Sequence, residues 1–228
     1  MKTFPEQGIF PVIHRSSTAQ SIEMAGMAQE LGAKGVFVID HKSSMTNPDI
    51  LVDTYTHIKY EFPNLWLGIN NLALSAARNL VLARGILADG VWADNATESS
   101  NSGYVRNSTS QTVFFGGVAM KGPGYIEDSE HAAQYIHNHL DDVDVAVTSG
   151  PETGVPCPPE RLEAIRRKSP DAKLAIASGV DLENIARHSR LVDYILVASS
   201  IETHQYSGVF LESALKEMIA KDAEARGF

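Results

Sequence analysis

Polar side chains that could carry chemistry stand at regular intervals along this chain, each directly after a short apolar run. Two of them, Asp40 and Asp94, are carboxylates. An imidazole at His14 and an amide at Asn70 occupy equivalent positions. Carboxylates beside imidazoles and amides can transfer protons and orient hydroxyl groups. The pattern therefore predicts acid–base chemistry on a small polar molecule.

The two carboxylates are the leading catalytic candidates. An idle carboxylate at a crowded strand end is costly to desolvate, which favours a functional role for Asp40 and Asp94. We expect them to act as an acid–base pair or to stabilise a developing positive charge, while His14 and Asn70 orient hydroxyls. The alternatives are structural: either carboxylate could cap a helix or anchor a loop, and His14 could be a core histidine with its hydrogen bonds satisfied.

Three further residues are secondary candidates. Lys121 lies in the glycine-rich segment GGVAMKGPG and could reach a phosphate or a leaving group; a Schiff-base role is open, although no neighbour in sequence indicates a lowered pKa. Glu152 lies in SGPETGVPCPPE and could act as an acid or base, whereas Cys157 in the same segment has no evident base partner and is expected to be inert. His41 follows Asp40 and is expected to be partly solvated.

Two late segments predict an anion site. Ser178, Gly179 and Val180 follow the seventh apolar run, and Ser199 and Ser200 follow the eighth. Backbone N–H groups and hydroxyls in such loops can hold a phosphate, and Gly179 allows the backbone to approach a ligand closely. A small phosphorylated or otherwise anionic molecule is the expected partner.

Eight apolar runs must position these residues. They are nearly continuous rather than alternating, which is typical of parallel strands covered on both faces. The predicted strands are Ile9–His14, Gly35–Asp40, Leu65–Asn70, Gly90–Asp94, Thr112–Val118, Val143–Thr148, Lys173–Ala177 and Tyr194–Ala198.

The segments between the runs carry a helical period. Leu51, Tyr55 and Ile58 recur at steps of four and three residues. Ser17 with Gln20 reads as a capping box that starts one helix. Eight strand–helix units predict an α/β fold, a closed (β/α)₈ TIM barrel that forms one domain over residues 1–228. The rival, an open doubly wound sheet, usually has a glycine-rich fingerprint after its first strand, where this chain reads HRSSTAQS.

Composition narrows the classes of function. The chain has 228 residues, 43% of them hydrophobic, and a formal net charge of −9, which argues against nucleic-acid binding. A short basic cluster is expected to be a solvated helix face; it consists of Arg161, Arg166, Arg167 and Lys168. With one cysteine, no signal-peptide pattern and no long apolar stretch, we expect a cytoplasmic protein without a membrane span, and a homo-oligomer is possible.

A family resemblance supports the anion site. The segments ASGVDLENIA (177–186) and VDYILVASSIE (192–202) resemble the phosphate-binding half of the ribulose-phosphate-binding barrels. Within that group, IFPVIHRSS, ELGAKGVFVIDH and SGVDLENI look most like the BtpA/SgcQ family. The resemblance implies a barrel with a phosphosugar or phosphoribosyl ligand.

Three hypotheses for function follow. The first is an enzyme that isomerises or epimerises a phosphorylated pentose, or transfers a group at the anomeric carbon of a phosphoribosyl compound, without a cofactor. The second is a non-catalytic binding or assembly factor, because the family name is associated with photosystem biogenesis. The third is a metal-dependent hydrolase or aldolase in which a divalent ion is held by Asp40, His41, Asp94 and His14, although no H-x-H pair lies on a predicted strand and no H-E-x-x-H helix is present.

Overall fold

The computed structural model describes residues 2–40, 47–97, 111–122 and 124–227. Eight parallel strands pair in chain order and close into a barrel, so the predicted (β/α)₈ fold is confirmed. Every predicted strand is present, with boundaries that differ by at most two residues. The strands are β1 (Gly8–His14), β2 (Val36–Asp40), β3 (Leu67–Asn71), β4 (Gly90–Ala93), β5 (Val113–Gly117), β6 (Val145–Thr148), β7 (Leu174–Ala177) and β8 (Tyr194–Val197).

Helices surround the barrel. Within the described ranges they are α1 (Thr18–Glu30), α2 (Asp49–Glu61), α3 (Ala76–Gly85), α4 (Ser129–Asn138), α5 (Pro159–Lys168), α6 (Ile185–Ser189) and α7 (Glu212–Arg226), with a 3₁₀ turn at Leu140–Asp142. Between β4 and β5 the described residues contain no helix, and residues 98–110 of that connection lie outside them. None of the described helices has the length and apolar content to cross a membrane.

The sequence predicts helix starts unevenly. Ser17 caps α1 as expected, since its hydroxyl accepts from the backbone N–H of Gln20 at 3.1 Å. The Gln20 side chain does not close the capping box; it donates to the carbonyl of Gly208, far along the chain. The sequence also predicts that Asp181 caps a helix over Leu182–His188. Asp181 does accept from two backbone N–H groups of the following turn, at 2.9 and 3.0 Å, but α6 begins only at Ile185.

Alternation along each strand decides which residues face the barrel interior. Phe37 and Ile39 of β2 belong to the inner cluster, so Asp40 points outward to the helices. Trp92 of β4 also belongs to that cluster, which turns Asp94, two residues later, inward. The two carboxylates at the ends of the second and fourth apolar runs therefore face different sides of the barrel wall.

Aromatic rings fill the barrel at the N-terminal end of its strands. Phe10, Phe37, Trp66, Phe115 and Tyr194 contact one another with ring centroids 5.1–6.4 Å apart, mostly tilted or edge-on. Such geometries match the quadrupoles of aromatic rings. These five rings, the aromatic floor, close one end of the barrel and leave the C-terminal end for a site.

The basic cluster on α5 is a solvated face only in part: Arg167 and Lys168 are exposed, as the sequence predicts, but Arg161 and Arg166 are not. Arg161 is fully buried; it donates to the carbonyls of Ile126 at 2.5 Å and Ala119 at 2.6 Å and lies over the ring of Tyr125. Arg166 reaches Asp193 at 2.6 Å. Because one planar guanidinium satisfies several carbonyls at once, these arginines tie α5 to neighbouring loops.

Candidate active site

A cavity of about 480 Å³ opens at the C-terminal end of the barrel. In a (β/α)₈ barrel this end is where the strand–helix loops build the active site. Most of the candidate residues from the sequence meet here. Those that line the cavity are His14, Asp94, Lys121, Ser178, Gly179, Val180, Ser199 and Ser200.

Asp40 is not among the described residues that line this cavity. It is buried on the helix side of the barrel wall, where Arg15 donates to it at 3.3 Å and to Thr54 at 2.7 Å. The expected pairing of Asp40 with Asp94 is therefore wrong. The error has a physical reason. Side chains of β2 alternate between the two sides of the barrel wall, and this alternation does not show in the sequence because both faces of the strand are apolar.

The proposed metal site is not formed, for the same reason. It requires Asp40 beside Asp94 and His14, but Asp40 faces the other side of the barrel wall. His41, its fourth ligand, lies outside the described residues. Over the parts of the chain that the structure describes, no three His, Cys, Asp or Glu side chains form a group that could hold a metal ion.

Asp94 and Asn70 meet at one side of the cavity. The Asn70 amide donates to a carboxylate oxygen of Asp94 at 3.3 Å. Asp94 is open to solvent through the mouth, yet the surrounding protein restricts its hydration and raises the pKa of the carboxyl above its usual value. The charge of Lys121 and the hydrogen bond from Asn70 oppose that increase without cancelling it.

Lys121 bridges the two sides of the cavity. Its ammonium donates to the hydroxyls of Ser178 at 3.3 Å and Thr153 at 3.0 Å, and its backbone N–H is held by Ser149 at 2.8 Å. Burial lowers the pKa of Lys121, while the charge of Asp94 opposes the decrease. The sequence offered no reason to expect a lowered pKa for Lys121; its half-buried position in the fold supplies one.

The loop after β7 has an uncommon backbone. Ser178 and Gly179 both have positive φ, 83° and 72°. A non-glycine residue in this region is uncommon, and such residues cluster at functional sites. The loop after β6 crosses so closely that a Cβ on Gly179 would lie 2.3 Å from the carbonyl oxygen of Val155. Asn184 holds the loop from the other side by donating to the Gly179 carbonyl at 2.8 Å.

The loop after β8 adds hydroxyls beside the first loop. Ser199 is exposed and Ser200 is half-buried. The hydroxyl oxygen of Ser200 is itself buried and has no hydrogen-bond partner among the described residues. Buried hydroxyls are usually paired, so this hydroxyl is an exception.

A buried carboxylate that sequence reasoning missed holds His14. The ring nitrogen Nδ1 of His14 lies 2.7 Å from Glu202, whose side chain is fully buried. Glu202 also accepts from the backbone N–H groups of Tyr206 and Gly208, each at 3.0 Å. The ring of Tyr206 stands edge-on to His14 with centroids 5.0 Å apart. His14 thus has a hydrogen-bond partner in Glu202 and also lines the cavity.

Glu152 and Cys157 contribute little to the cavity. Glu152 is exposed and does not line it within the described residues, whereas its neighbours Thr153 and Gly154 do. Cys157 is fully buried, and burial raises the pKa of its thiol to about 12 despite the nearby charge of Arg161. The thiol is therefore inert at neutral pH, as the sequence suggests.

Comparison with known proteins places the chain in a structural class. No protein-family model and no curated protein sequence matches it. A structure described as native KDPGal aligns over 100% of both chains with a TM-score of 0.69 and 14% identity. Phosphoribosyl anthranilate isomerase from Thermus thermophilus aligns over 95% of this chain and 98% of its own, with a TM-score of 0.66 and 14% identity. Orotidine 5'-phosphate decarboxylase from Pyrococcus horikoshii OT3 aligns over 96% and 100%, with a TM-score of 0.66 and 20% identity. At these identities the likeness establishes the fold, a (β/α)₈ barrel.

Proposed function

We propose that the chain is an enzyme that acts on a phosphorylated pentose or a phosphoribosyl compound, by isomerisation or epimerisation or by transfer at the anomeric carbon. One observation carries the proposal: a single cavity brings the titratable pair Asp94 and Lys121 together with the hydroxyl-bearing loops after β7 and β8. The names of two solved structures with the same fold refer to phosphoribosyl or phosphate compounds, which supports the substrate class. Relationship to the BtpA/SgcQ family is part of the proposal.

The phosphate would bind against the loops after β7 and β8. The hydroxyls of Ser178, Ser199 and Ser200 and the amides of Gly179 and Val180 supply donors there. The chain carries a net charge of −9, so these local donors, and not the overall charge, would hold the phosphate.

Asp94 and Lys121 would exchange protons with the substrate. In an isomerisation, the Asp94 carboxylate takes the proton from the carbon next to the carbonyl while the Lys121 ammonium protonates the carbonyl oxygen, which leaves an enediol. The reverse transfers on the neighbouring atoms complete the reaction and restore both groups. A raised pKa for Asp94 and a lowered pKa for Lys121 bring the two closer to the working pH, which favours such transfers.

The first test combines a ligand panel with Asp94→Asn. We expect ribose 5-phosphate, ribulose 5-phosphate or a phosphoribosyl compound to raise the melting temperature and to be turned over. Asp94→Asn should lower kcat about 10²- to 10⁴-fold with little change in KM, because the carboxylate lies apart from the phosphate loops. Asp53→Asn, on the exposed face of α2, is the control.

Two outcomes would contradict the proposal. Full turnover by Asp94→Asn would remove the catalytic assignment. A panel ligand that stabilises the protein and is never turned over would favour the non-catalytic binding or assembly factor instead.

A Schiff-base aldolase is the second candidate function, favoured by the half-buried amine of Lys121 and the decrease of its pKa on burial. The neutral amine would add to a substrate carbonyl and expel water to give an iminium ion. Borohydride would reduce that ion to a secondary amine, detectable as a permanent mass increase on Lys121. Lys121→Arg keeps the charge without a usable nucleophile; equal labelling of that variant would exclude this chemistry.

A further inference from the structure

The main cavity has a mainly apolar side that the proposed phosphate binding does not use. The first four strands and the residues just after them build this side, with His14 and Asp94 as its titratable members. Its apolar lining residues are Val12, Ile39, Leu72 and Trp92. The serine hydroxyls and the Lys121 ammonium come instead from connections that follow β5, β7 and β8. Pockets for small molecules combine apolar walls with a few polar groups in this way.

Tyr206, in the loop after β8, adds an aromatic ring to the apolar side. Tyr206 lines the cavity, and its ring stands edge-on to His14 of β1. Tyr206 is nevertheless 50% exposed, and Leu72, which lines the same cavity from the end of β3, is 38% exposed. Single exposed apolar residues are common on protein surfaces, but these two share one cavity. A ligand that covers them removes apolar surface from water, which favours its binding.

The backbone of Tyr206 has an unfavourable conformation. Its φ is 63°, which is rare for a residue with a bulky side chain. The loop holds it there: the backbone N–H groups of Tyr206 and Gly208 both donate to the buried carboxylate of Glu202, each at 3.0 Å. The backbone N–H of Thr203 closes the loop by donating to the carbonyl of Val209 at 2.9 Å. Strain of this kind persists where its surroundings enforce it, and it clusters at functional sites.

We infer that Tyr206 is a specificity-determining residue, which binds an apolar ring carried by the substrate. The inference rests on the proposed function and narrows its substrate class. The substrate is then a phosphoribosyl compound with an apolar ring at C1, and not a free pentose phosphate. Contact with the ring of Tyr206 and burial against Leu72 both favour such a group. A free pentose phosphate carries hydroxyls along its whole chain and would leave this apolar surface in water.

The cavity has room for both ends of such a compound. The 5-phosphate and the group at C1 stand at opposite ends of the sugar. A phosphate held by the loops after β7 and β8 therefore leaves the C1 group to extend toward the side built by β1 to β4, which the closed ring of strands places across the mouth. The cavity volume of about 480 Å³ falls within the roughly 300–1,000 Å³ of pockets that enclose drug-sized ligands.

The test measures the affinity of the full chain for two probes by calorimetry. Phenyl ribofuranoside 5-phosphate and methyl ribofuranoside 5-phosphate share the phosphate, the sugar and the glycosidic oxygen, and they differ only in the group at C1. We expect the phenyl compound to bind about 10-fold more tightly, because its ring contacts Tyr206 and is removed from water. Inorganic phosphate is measured beside them to report on the phosphate loops alone.

Tyr206→Asn sharpens the test, because it removes the ring and introduces a residue that tolerates a positive φ. The preference for the phenyl compound should fall to about 3-fold or less, with most of the change in the affinity for that compound. A merely structural role for the ring beside His14 would lower both affinities alike. Tyr206→Phe keeps the ring and should keep the preference, as should the control Tyr60→Asn, at an 83% exposed position on α2. Should Tyr206→Asn fail to fold, Tyr206→Gly replaces it.

The outcomes separate this inference from the function beneath it. If the phenyl and methyl compounds bind the wild type equally well, the apolar side has no such role and the proposed function stands. If Tyr206→Asn keeps the full preference for the phenyl compound, Tyr206 does not determine specificity. If neither sugar phosphate nor inorganic phosphate binds, the phosphate site fails and the inference falls with it.

Discussion

At the scale of single residues, the site depends on a buried carboxylate that aligns an imidazole. Glu202 accepts from His14 and from two backbone N–H groups of its own loop, so one side chain fixes both the ring and the loop that covers it. Carboxylates that bind the far nitrogen of a histidine set its tautomer and orientation. Glu202 is therefore a positioning residue for His14.

Glu202→Gln should damage the site through that alignment. The amide that replaces one carboxylate oxygen donates where backbone N–H groups already donate, so we expect a loss of about 2–3 kcal/mol in the free energy of unfolding. Turnover of the substrate should fall about 10-fold or more as His14 loses its orientation. Thermal unfolding and steady-state kinetics measure both, with the exposed Glu224→Gln as control. Wild-type kinetics in Glu202→Gln would mean that His14 needs no such partner.

For Asp94 we expect the opposite: its replacement by asparagine should lower activity and raise the stability of the fold. Restricted hydration raises the pKa of Asp94 in the folded chain, so folding favours its protonated form. That contribution is complete below the unfolded pKa and is lost as the pH rises through the folded pKa. At neutral pH the ionised Asp94 therefore opposes folding, as strained or desolvated catalytic groups often do.

Asp94→Asn should raise the melting temperature at neutral pH by about 1–2 °C, a small effect because the carboxylate is open to solvent. The difference from wild type should disappear near pH 3, where the wild-type carboxyl is protonated in both states. Scanning calorimetry at the two pH values gives the answer. A lower melting temperature for Asp94→Asn at neutral pH would show that attraction to Lys121 outweighs the restricted hydration.

At the scale of elements, the loop after β7 is shaped by its contact with the loop after β6. Gly179→Ala adds a Cβ where the carbonyl oxygen of Val155 would lie 2.3 Å away, and it does so at a φ of 72°. Gly32→Ala is a matched control, because Gly32 has a φ of 89° and open space around the added Cβ. Both changes strain the backbone, and only the first also displaces a neighbouring loop.

We expect Gly32→Ala to cost about 1 kcal/mol of stability and to leave the affinity for ribose 5-phosphate unchanged. Gly179→Ala should cost more and weaken that affinity about 10-fold or more, because the displaced loop carries Ser178. Denaturant unfolding and calorimetry provide the two measurements. If the variants behave alike, the crossing of the two loops has no part in binding.

The elements also show how far sequence predicts this structure. All eight strands are readable because apolar runs and helical periods alternate along the chain. Which face of a strand a residue occupies is not readable, since β2 is apolar on both faces, and Asp40 was misassigned for that reason. Partners distant in sequence are equally hidden: Glu202 meets His14 across 188 residues, and Arg161 meets Ala119 across 42.

The candidate site likewise contains residues that the sequence predicts and contacts that it does not. Ser178, Gly179, Val180, Ser199 and Ser200 were predictable because a barrel gathers the loops after its last two strands. That Asp94 and Lys121 line one cavity could not be read from the sequence, because it depends on closure of the barrel. A homo-oligomer, a single domain over the whole chain and a cytoplasmic location stay predictions.

At the scale of the whole molecule, the aromatic floor concentrates stability at the end of the barrel away from the site. Phe115 is fully buried and contacts Phe37, Tyr194 and Trp66 with centroids 5.1, 5.2 and 5.7 Å away. Phe115→Ala should lower the free energy of unfolding by about 3–5 kcal/mol through lost burial and a residual cavity. Denaturant unfolding measures it, with the exposed Tyr60→Ala expected to change stability by about 0.5 kcal/mol or less.

Phe115 is absent from the described lining of the main cavity, so the folded Phe115→Ala protein should keep its affinity for ribose 5-phosphate within about 3-fold. A large loss of affinity without a loss of stability would mean that the floor takes part in binding.

Because the aromatic floor closes one end of the barrel, the cavity opens only at the other end. Whatever enters at the C-terminal end must leave by the way it came, because the rings of Phe10, Phe37 and Phe115 block the other exit. Under the proposed function, substrate and product would therefore use the same opening, and the product would leave before the next substrate binds. The aromatic floor thus stabilises the barrel and also limits a ligand to one route into and out of the cavity.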